Sequence, residues 1–195
     1  MLFRSYSASF EGNERLVELL IRHWCVISAR DNSEKTALHL AAESGQDTIL
    51  HSLIMHGADI QATDVRGQTP LNLAVGNGHQ QIAAMLLQRG SDAQRGDGFG
   101  RTPVHLAAVQ GRERMLEMLI QHVSALKAID DLGRSPLHLA SLEGNERSVE
   151  LLIRHGYDTS ARDNSQKTAL HLAAESGQDT IVHSLIMHEI GRAHV

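Results

Sequence analysis

The chain has 195 residues, a formal net charge of −5, and a composition that is 42% hydrophobic but only 3% aromatic. The hydrophobic fraction is sufficient for a folded core, whereas the scarcity of aromatic side chains and the lack of a basic run argue against binding to nucleic acid or to an acidic membrane surface. No apolar run approaches the roughly 20 residues that a membrane span needs; with a single cysteine, Cys25, and no signal-peptide core, we expect an intracellular protein, cytoplasmic or nuclear.

A ten-residue segment recurs along the chain at a period of 33 residues. A period of about 20 to 50 residues is typical of stacked small units rather than of one globular core. The sequence therefore predicts a solenoid. In chain order the copies begin at Thr36, Thr69, Thr102, Ser135 and Thr168 and read TALHLAAESG, TPLNLAVGNG, TPVHLAAVQG, SPLHLASLEG and TALHLAAESG.

Each copy has the features of a short helix with its own start and stop signals. The Thr or Ser hydroxyl is placed to cap free backbone N–H groups, and in three copies a proline follows at the first helical position. Leu38, Ala41 and Ala42 then fall on one face at helical spacing, where alanine lets a neighbouring helix come close. A glycine such as Gly45 ends the helix, and a second apolar helix follows before the next copy.

The motif T-x-L-H-L-A-A, the glycine after it, the apolar second helix and the segment HGAD at 56–59 together resemble the ankyrin repeat. The resemblance extends without a break from Thr36 to His188. It implies an all-α solenoid in which helix-turn-helix units carry short β-hairpin fingers. It also implies a function in binding other proteins.

The resemblance divides the chain into three parts. Residues 1–35 form a degenerate first repeat, residues 36–188 hold five repeats, and residues 189–195, EIGRAHV, are interpreted as a non-native tail at which the gene was cut short. Residues 11–56 match residues 143–188 at 39 of 46 positions, which indicates duplication of a block of several repeats. In the degenerate repeat Trp24 replaces a helix-ending glycine, and we expect it to act as an end plug or as an anchor for a partner.

The turns between units differ in their chemistry. Three turns carry glycine at a position that requires positive φ, whereas two carry Glu34 and Gln166 there, so we expect those two fingers to be looser. Val123 stands where other outer helices end in glycine, so the connection after it should be distorted. The three glycines are Gly67, Gly100 and Gly133.

Thirteen histidines invite a metal-binding or catalytic interpretation. They fall largely into two registers, the fourth position of the decamer and the end of the second helix. Imidazoles one repeat apart cannot share a metal, whose bonds to nitrogen are ~2 Å long, so we expect the first set to hydrogen-bond the cap region and the second to face helix C-termini. The first set is His39, His105, His138 and His171, with Asn72 in the remaining copy; the second is His23, His56, His122, His155 and His188, with Arg89 in the remaining one.

No catalytic or cofactor-binding pattern stands out. Cys25 lies in the degenerate repeat, and the glycine cluster at 96–100 lacks the Lys-Ser/Thr ending of a phosphate-binding loop. The acidic residues lie on exposed faces or at turn positions such as Asp64. We therefore expect no enzyme activity, no cofactor and no bound metal.

In ankyrin-like arrays the fingertips and the exposed side of the inner helices line one concave face, so the resemblance points to the variable residues there. Apolar tips beside arginines have the character of binding hot spots; alternatively, the tips pack on one another. The candidate protein-binding residues are Val65, Arg66, Gln68, Asn77, Phe99, Arg101, Gln110, Leu132, Arg134 and Glu143.

The sequence thus predicts a monomeric, non-catalytic scaffold that binds a protein partner through this surface. The alternative is that the array is the regulatory or targeting arm of a larger signalling enzyme or receptor. The two possibilities share a fold and differ in what adjoins it.

Overall fold

The computed structural model describes residues 27–124 and 126–193, so Trp24 and Cys25 lie outside the described part of the chain. Within these ranges the chain forms ten α-helices in five consecutive pairs. They are α1 (Ala37–Ser44), α2 (Asp47–Met55), α3 (Pro70–Asn77), α4 (Gln80–Gln88), α5 (Pro103–Val109), α6 (Glu113–His122), α7 (Pro136–Leu142), α8 (Glu146–Arg154), α9 (Ala169–Glu175) and α10 (Asp179–Ala193). None of these helices is long and apolar enough to cross a membrane, and the same ranges contain no strand. The prediction of an all-α array of stacked helix pairs is confirmed.

The odd-numbered helices, here called inner helices, begin where the sequence places the Thr or Ser cap. Thr69 has extended backbone, with φ −86° and ψ 165°, and its hydroxyl accepts a hydrogen bond from the Asn72 N–H at 3.2 Å. Pro70 fills the first helical position, where a missing N–H costs nothing. Gly78 ends the helix with φ 82°. The decamer therefore contains the signals for both ends of its helix.

The described residues up to Gly98 form one compact unit. Its inner helices α1 and α3 pack against each other, and so do its outer helices α2 and α4. The core between them is aliphatic, and each fully buried side chain of this kind contributes roughly 1.5–3 kcal/mol by leaving water. The largest fully buried side chains are Leu38, Ile49, Leu50, Leu53, Leu71, Ile82 and Leu86.

A second compact unit begins at Phe99. In it the inner helix α7 packs between α5 and α9, and the outer helix α8 contacts both α6 and α10. The core again consists of aliphatic side chains between short helices, as expected for a protein with few aromatic residues. The largest fully buried ones are Leu116, Leu119, Leu137, Leu152 and Ile181.

The outer helix α6 ends unlike the others. Helices α2, α4 and α8 are followed by Gly57, Gly90 and Gly156, all with positive φ between 83° and 88°. After α6, Val123 is extended instead, with φ −100° and ψ 135°, because a β-branched residue strongly disfavours positive φ. The predicted distortion of this connection is confirmed.

Candidate protein-binding surface

Each finger is the short turn that precedes an inner helix, and in four of the fingers an aspartate carboxylate is seen to hold the turn together. In the finger of residues 64–68, the Asp64 carboxylate accepts hydrogen bonds from the Arg66 and Gln68 N–H groups, both at 2.9 Å. The Gly67 N–H closes the turn on the Asp64 carbonyl at 2.9 Å, and the Asp64 N–H donates to the Gln68 carbonyl at 3.0 Å. This single pairing is too short to form a strand, so the fingers are hydrogen-bonded turns rather than β-hairpins. The same carboxylate pattern recurs at Asp31, Asp130 and Asp163.

Backbone hydrogen bonds tie successive fingers into rows within each unit. In the first unit the Val65 N–H donates to the Ser33 carbonyl at 3.0 Å. In the second, the Asp131 N–H donates to the Phe99 carbonyl, and the Asn164 N–H to the Leu132 carbonyl, both at 3.0 Å. Residues that are 32 apart in sequence, one fewer than the repeat period, are therefore hydrogen-bonded neighbours at the fingertips.

The first unit carries four of the candidate binding residues. Val65 is 64% exposed, and Arg66 is exposed beside it. Gln68 is half-buried, and its backbone carbonyl is already engaged by Asp64. Asn77 is exposed at the end of α3, where its side-chain amide donates to the Leu73 carbonyl at 2.9 Å. The tip of this finger thus presents one apolar and one cationic side chain to solvent.

The second unit carries an aromatic and a basic side chain in direct contact. Phe99 is 62% exposed, and the Arg101 guanidinium carbon lies 4.9 Å from the centre of its ring. That distance is within the range of a cation–π interaction. On the neighbouring finger Leu132 is 56% exposed. More than half of each apolar side chain is accessible, so these tips do not bury one another.

Three further candidates in the second unit differ in their exposure to solvent. Gln110 and Glu143 are exposed residues directly after α5 and α7. Arg134 is half-buried, and its guanidinium binds Asp130 through Nε at 2.8 Å and Nη2 at 2.7 Å. Burial alone would raise the pKa of Asp130, but the hydrogen bonds from Arg134 and from the Leu132 N–H bring it below its ordinary value. Arg134 therefore stabilises the finger itself.

The histidines of the inner helices connect one finger to the next. The Nδ1 atom of His39 accepts hydrogen bonds from the Thr36 N–H at 3.1 Å and the Thr36 hydroxyl at 2.8 Å. Its Nε2 atom donates to the Gln68 carbonyl at 3.2 Å, 29 residues further along. In the second unit His105 and His138 make the same contacts. The predicted capping role is confirmed, and the structure adds the link to the following finger.

Burial sets the protonation state of two of these residues. Desolvation lowers the pKa of His39 and of His138 below 6.5, and hydrogen bonds to backbone carbonyls only partly oppose it. A neutral ring with its proton on Nε2 satisfies both contacts, since Nδ1 must accept and Nε2 must donate. These imidazoles are therefore buried structural groups.

Three histidines of the second set lie at outer-helix C-termini, as predicted, and donate through Nδ1, whereas His188 lies inside α10, which continues to Ala193, and His23 lies outside the described residues. The Nδ1 atom of His56 donates to the Ser52 carbonyl at 2.8 Å, and His122 and His155 repeat this contact at 2.9 Å. A helix C-terminus concentrates partial negative charge that favours such donors. Within the described residues no group of three His, Cys, Asp or Glu side chains is placed to hold a metal.

Two contacts were not foreseen from the sequence. Glu34 and Gln166 adopt φ of 60° and 62°, the conformation that glycine has in the other turns. Their carbonyls accept hydrogen bonds from Arg30 at 3.0 Å and Arg162 at 2.8 Å. An arginine precedes the turn aspartate only in these two fingers. The sequence could therefore have predicted that this arginine supports the turn that lacks glycine.

The family comparison agrees with this architecture. A family model described as ankyrin repeats, in three copies, matches residues 5–97, 62–129, 92–163 and 123–193. None of the curated proteins compared with the chain matches it. Ankyrin repeats are in general protein-interaction modules and are typically non-catalytic. Because the matched ranges together cover most of the sequence, the chain belongs to the ankyrin repeat family.

Proposed function

We propose that this chain is a non-catalytic scaffold that binds a protein partner through its fingers and the exposed side of its inner helices. The observation that supports the proposal most strongly is the apolar and basic cluster of Phe99, Arg101 and Leu132 in the second unit. Phe99 and Leu132 are both more than half exposed, although large apolar side chains such as these usually lie in a protein core. Single exposed apolar residues are ordinary, but these two lie on adjacent fingers.

The cluster also has the preorganisation that hot spots require. The hydrogen bond from the Asp131 N–H to the Phe99 carbonyl ties the two fingers together. Arg101 lies over the Phe99 ring, which restricts both side chains before any partner arrives. Rigid aromatic and arginine side chains lose little entropy on binding, and residues of these types dominate measured hot spots. Gln110 and Glu143 would add polar contacts from the inner helices of the same unit.

In the first unit the corresponding surface is smaller. Val65 and Arg66 present a similar apolar and cationic pair, and Asn77 is exposed on the inner helix. Gln68 would contribute through its side chain, since its backbone belongs to the finger. We propose that these residues extend the contact with the partner.

The test begins with capture of a partner by the full chain. The triple variant Phe99→Ala, Arg101→Ala, Leu132→Ala should then bind the isolated partner at least about tenfold more weakly, because truncation of each hot-spot residue costs roughly 1–2 kcal/mol or more. The matched control replaces the exposed residues Gln80 and Gln81 of the outer helix α4 by alanine and should retain affinity. Circular dichroism confirms that both variants fold. Unchanged affinity of the triple variant would show that the surface assignment is wrong.

A further inference from the structure

The inner helix α3 ends in residues that no other described inner helix has at its end. Its last two residues are Gly76 and Asn77, and Gly78 follows as the C-cap with φ 82°. Asn77 and Gly78 are also the only asparagine-glycine pair in the sequence. The other four inner helices have a residue with a side chain at the position of Gly76, namely Glu43, Val109, Leu142 and Glu175.

An asparagine followed by glycine is chemically labile, because glycine has no side chain to hinder attack by its own backbone nitrogen. In this reaction the Gly78 nitrogen bonds to Asn77 Cγ, and the bond from Cγ to Nδ2 breaks. Ammonia leaves with the Gly78 amide proton, and a cyclic imide remains. Water then adds to either imide carbonyl and opens the ring to aspartate or isoaspartate. The net reaction consumes one water molecule and releases one ammonia.

Hydrogen bonds hold both reacting groups in place while the end of α3 is intact. The Asn77 Nδ2 group donates to the Leu73 carbonyl at 2.9 Å. The Gly78 N–H, whose nitrogen must attack, donates to the Val75 carbonyl at 3.1 Å. Ring closure has to break both bonds and turn the Asn77 backbone out of its helical conformation. The reaction therefore requires the last turn of α3 to open.

The composition of this turn favours opening. Glycine destabilises a helix relative to alanine, because it loses more backbone entropy on folding. Gly76 directly precedes Asn77 in the last turn, where helix ends fray most readily. Asn77 is also exposed, so water has access to the imide.

We propose that Asn77 is a deamidation site whose rate is set by opening of the last turn of α3. The product carboxylate cannot donate to the Leu73 carbonyl, and its negative charge lies at a helix C-terminus, where it is unfavourable. Conversion thus loosens the end of α3 irreversibly. It also adds an acid to the surface of the first unit, and a consequence for partner binding rests on the proposed function.

The experiment incubates the full chain in mildly alkaline buffer and follows each asparagine by peptide mass spectrometry, with isoaspartate detected by enzymatic methylation. Asn77 should convert before Asn145 and Asn164. These two are internal controls, since neither precedes a glycine and the amide of each donates to backbone carbonyls. The same incubation in urea should speed conversion of Asn77 at least about tenfold, because the turn is then always open.

Gly76→Ala provides the matched variant. A Cβ atom at Gly76 would meet nothing within 4 Å, so the change strengthens the last turn and keeps the asparagine-glycine pair. Conversion of Asn77 should become about two- to fivefold slower in the folded chain. In urea the variant and the unmodified chain should convert at the same rate.

Two results would overturn the proposal. Conversion of Asn77 no faster than that of Asn145 and Asn164 in the folded chain would show that it is not a preferred site. Equal rates for Gly76→Ala and the unmodified chain without urea would show that the turn does not control the reaction. Neither measurement uses a partner, so both outcomes are independent of the proposed binding surface.

Discussion

The fourth residue of the decamer, which is the third residue of each inner helix, must offer an acceptor on one side and a donor on the other. His39 meets this requirement with Nδ1 and Nε2, and Asn72 meets it with its amide. The Asn72 oxygen accepts from the Thr69 N–H at 3.0 Å, and its Nδ2 group donates to the Arg95 carbonyl at 3.4 Å. A protonated imidazole has no acceptor, so the position selects a neutral side chain. Asparagine therefore retains the cap contact, although Asn72 donates to the carbonyl of Arg95 and not to the finger carbonyl that the histidines use.

At the same scale, Gln166 tests how much a turn depends on glycine. Its φ of 62° costs a non-glycine residue roughly 1–2 kcal/mol, of which the greater flexibility of unfolded glycine cancels about 0.5–1 kcal/mol. Gln166→Gly should therefore raise the free energy of unfolding by about 0.5–1 kcal/mol, measured by urea denaturation. The neighbouring Ser165→Gly, at a position without positive φ, should lower it instead. Equal effects of the two changes would contradict the conformational explanation.

At the scale of elements, glycines after inner helices have a second role besides ending the helix. A Cβ atom at Gly111 would lie 2.7 Å from Asn145 Oδ1. The Asn145 amide is held in place, because its Nδ2 group donates to the Ala108 and Val109 carbonyls at 3.0 and 2.6 Å. The Asn145 side chain, which belongs to the next repeat, thus covers the end of α5 above Gly111. The sequence predicts that a glycine ends the helix but not this close approach.

This second role can be measured by comparing two glycines with similar backbone. Gly111 and Gly156 have φ of 64° and 83°, but a Cβ atom at Gly156 would meet nothing within 4 Å. Gly156→Ala should cost about 1–2 kcal/mol of unfolding free energy from conformation alone. Gly111→Ala should cost at least about 1 kcal/mol more, since it also displaces the hydrogen-bonded Asn145 side chain. Chemical denaturation measures the unfolding free energy of the two variants. Equal losses of unfolding free energy would show that the close approach of Asn145 to Gly111 contributes nothing.

For the whole molecule, the buried histidines predict how stability depends on pH. The pKa values of His39 and His138 are lower in the folded chain than the ordinary 6.5, so the unfolded chain binds protons first as the pH falls. Their contribution is complete above about pH 6.5 and is lost below it, by at most about 1.4 kcal/mol per pH unit for each histidine. Thermal unfolding between pH 7.5 and 5 should show this decline.

The double variant His39→Asn, His138→Asn provides the control, since Asn72 shows that asparagine keeps the cap contact and still donates to a backbone carbonyl, that of Arg95, without titrating. Its stability should change less between pH 7.5 and 5 than that of the unmodified chain. If both proteins lose stability in parallel, the pH dependence arises from other groups.

At this scale the predicted division into residues 1–35, 36–188 and 189–195 stays a prediction, as does the set of binding residues. The sequence correctly predicted that the apolar fingertip residues Val65, Phe99 and Leu132 are exposed to solvent. The reason is that a position that is apolar in one finger and polar in the next cannot belong to a shared core. It did not distinguish Arg101, which contacts the exposed Phe99 ring, from Arg134, which pairs with Asp130. Both follow a turn glycine directly, and only their surroundings differ.

The sequence alone determined the repeat, the helix limits and the left-handed turn positions, because these depend on hydrogen bonds and steric limits between residues a few positions apart. The tertiary structure decided which nitrogen of each histidine donates, and that Asn145 covers Gly111. It also decided that residues 36–55 are covered while the nearly identical residues 168–187 expose the same face. The burial of a helix pair depends on whether the next repeat packs against it. Because the two copies have nearly the same sequence, their sequence cannot predict that one is covered and the other is not.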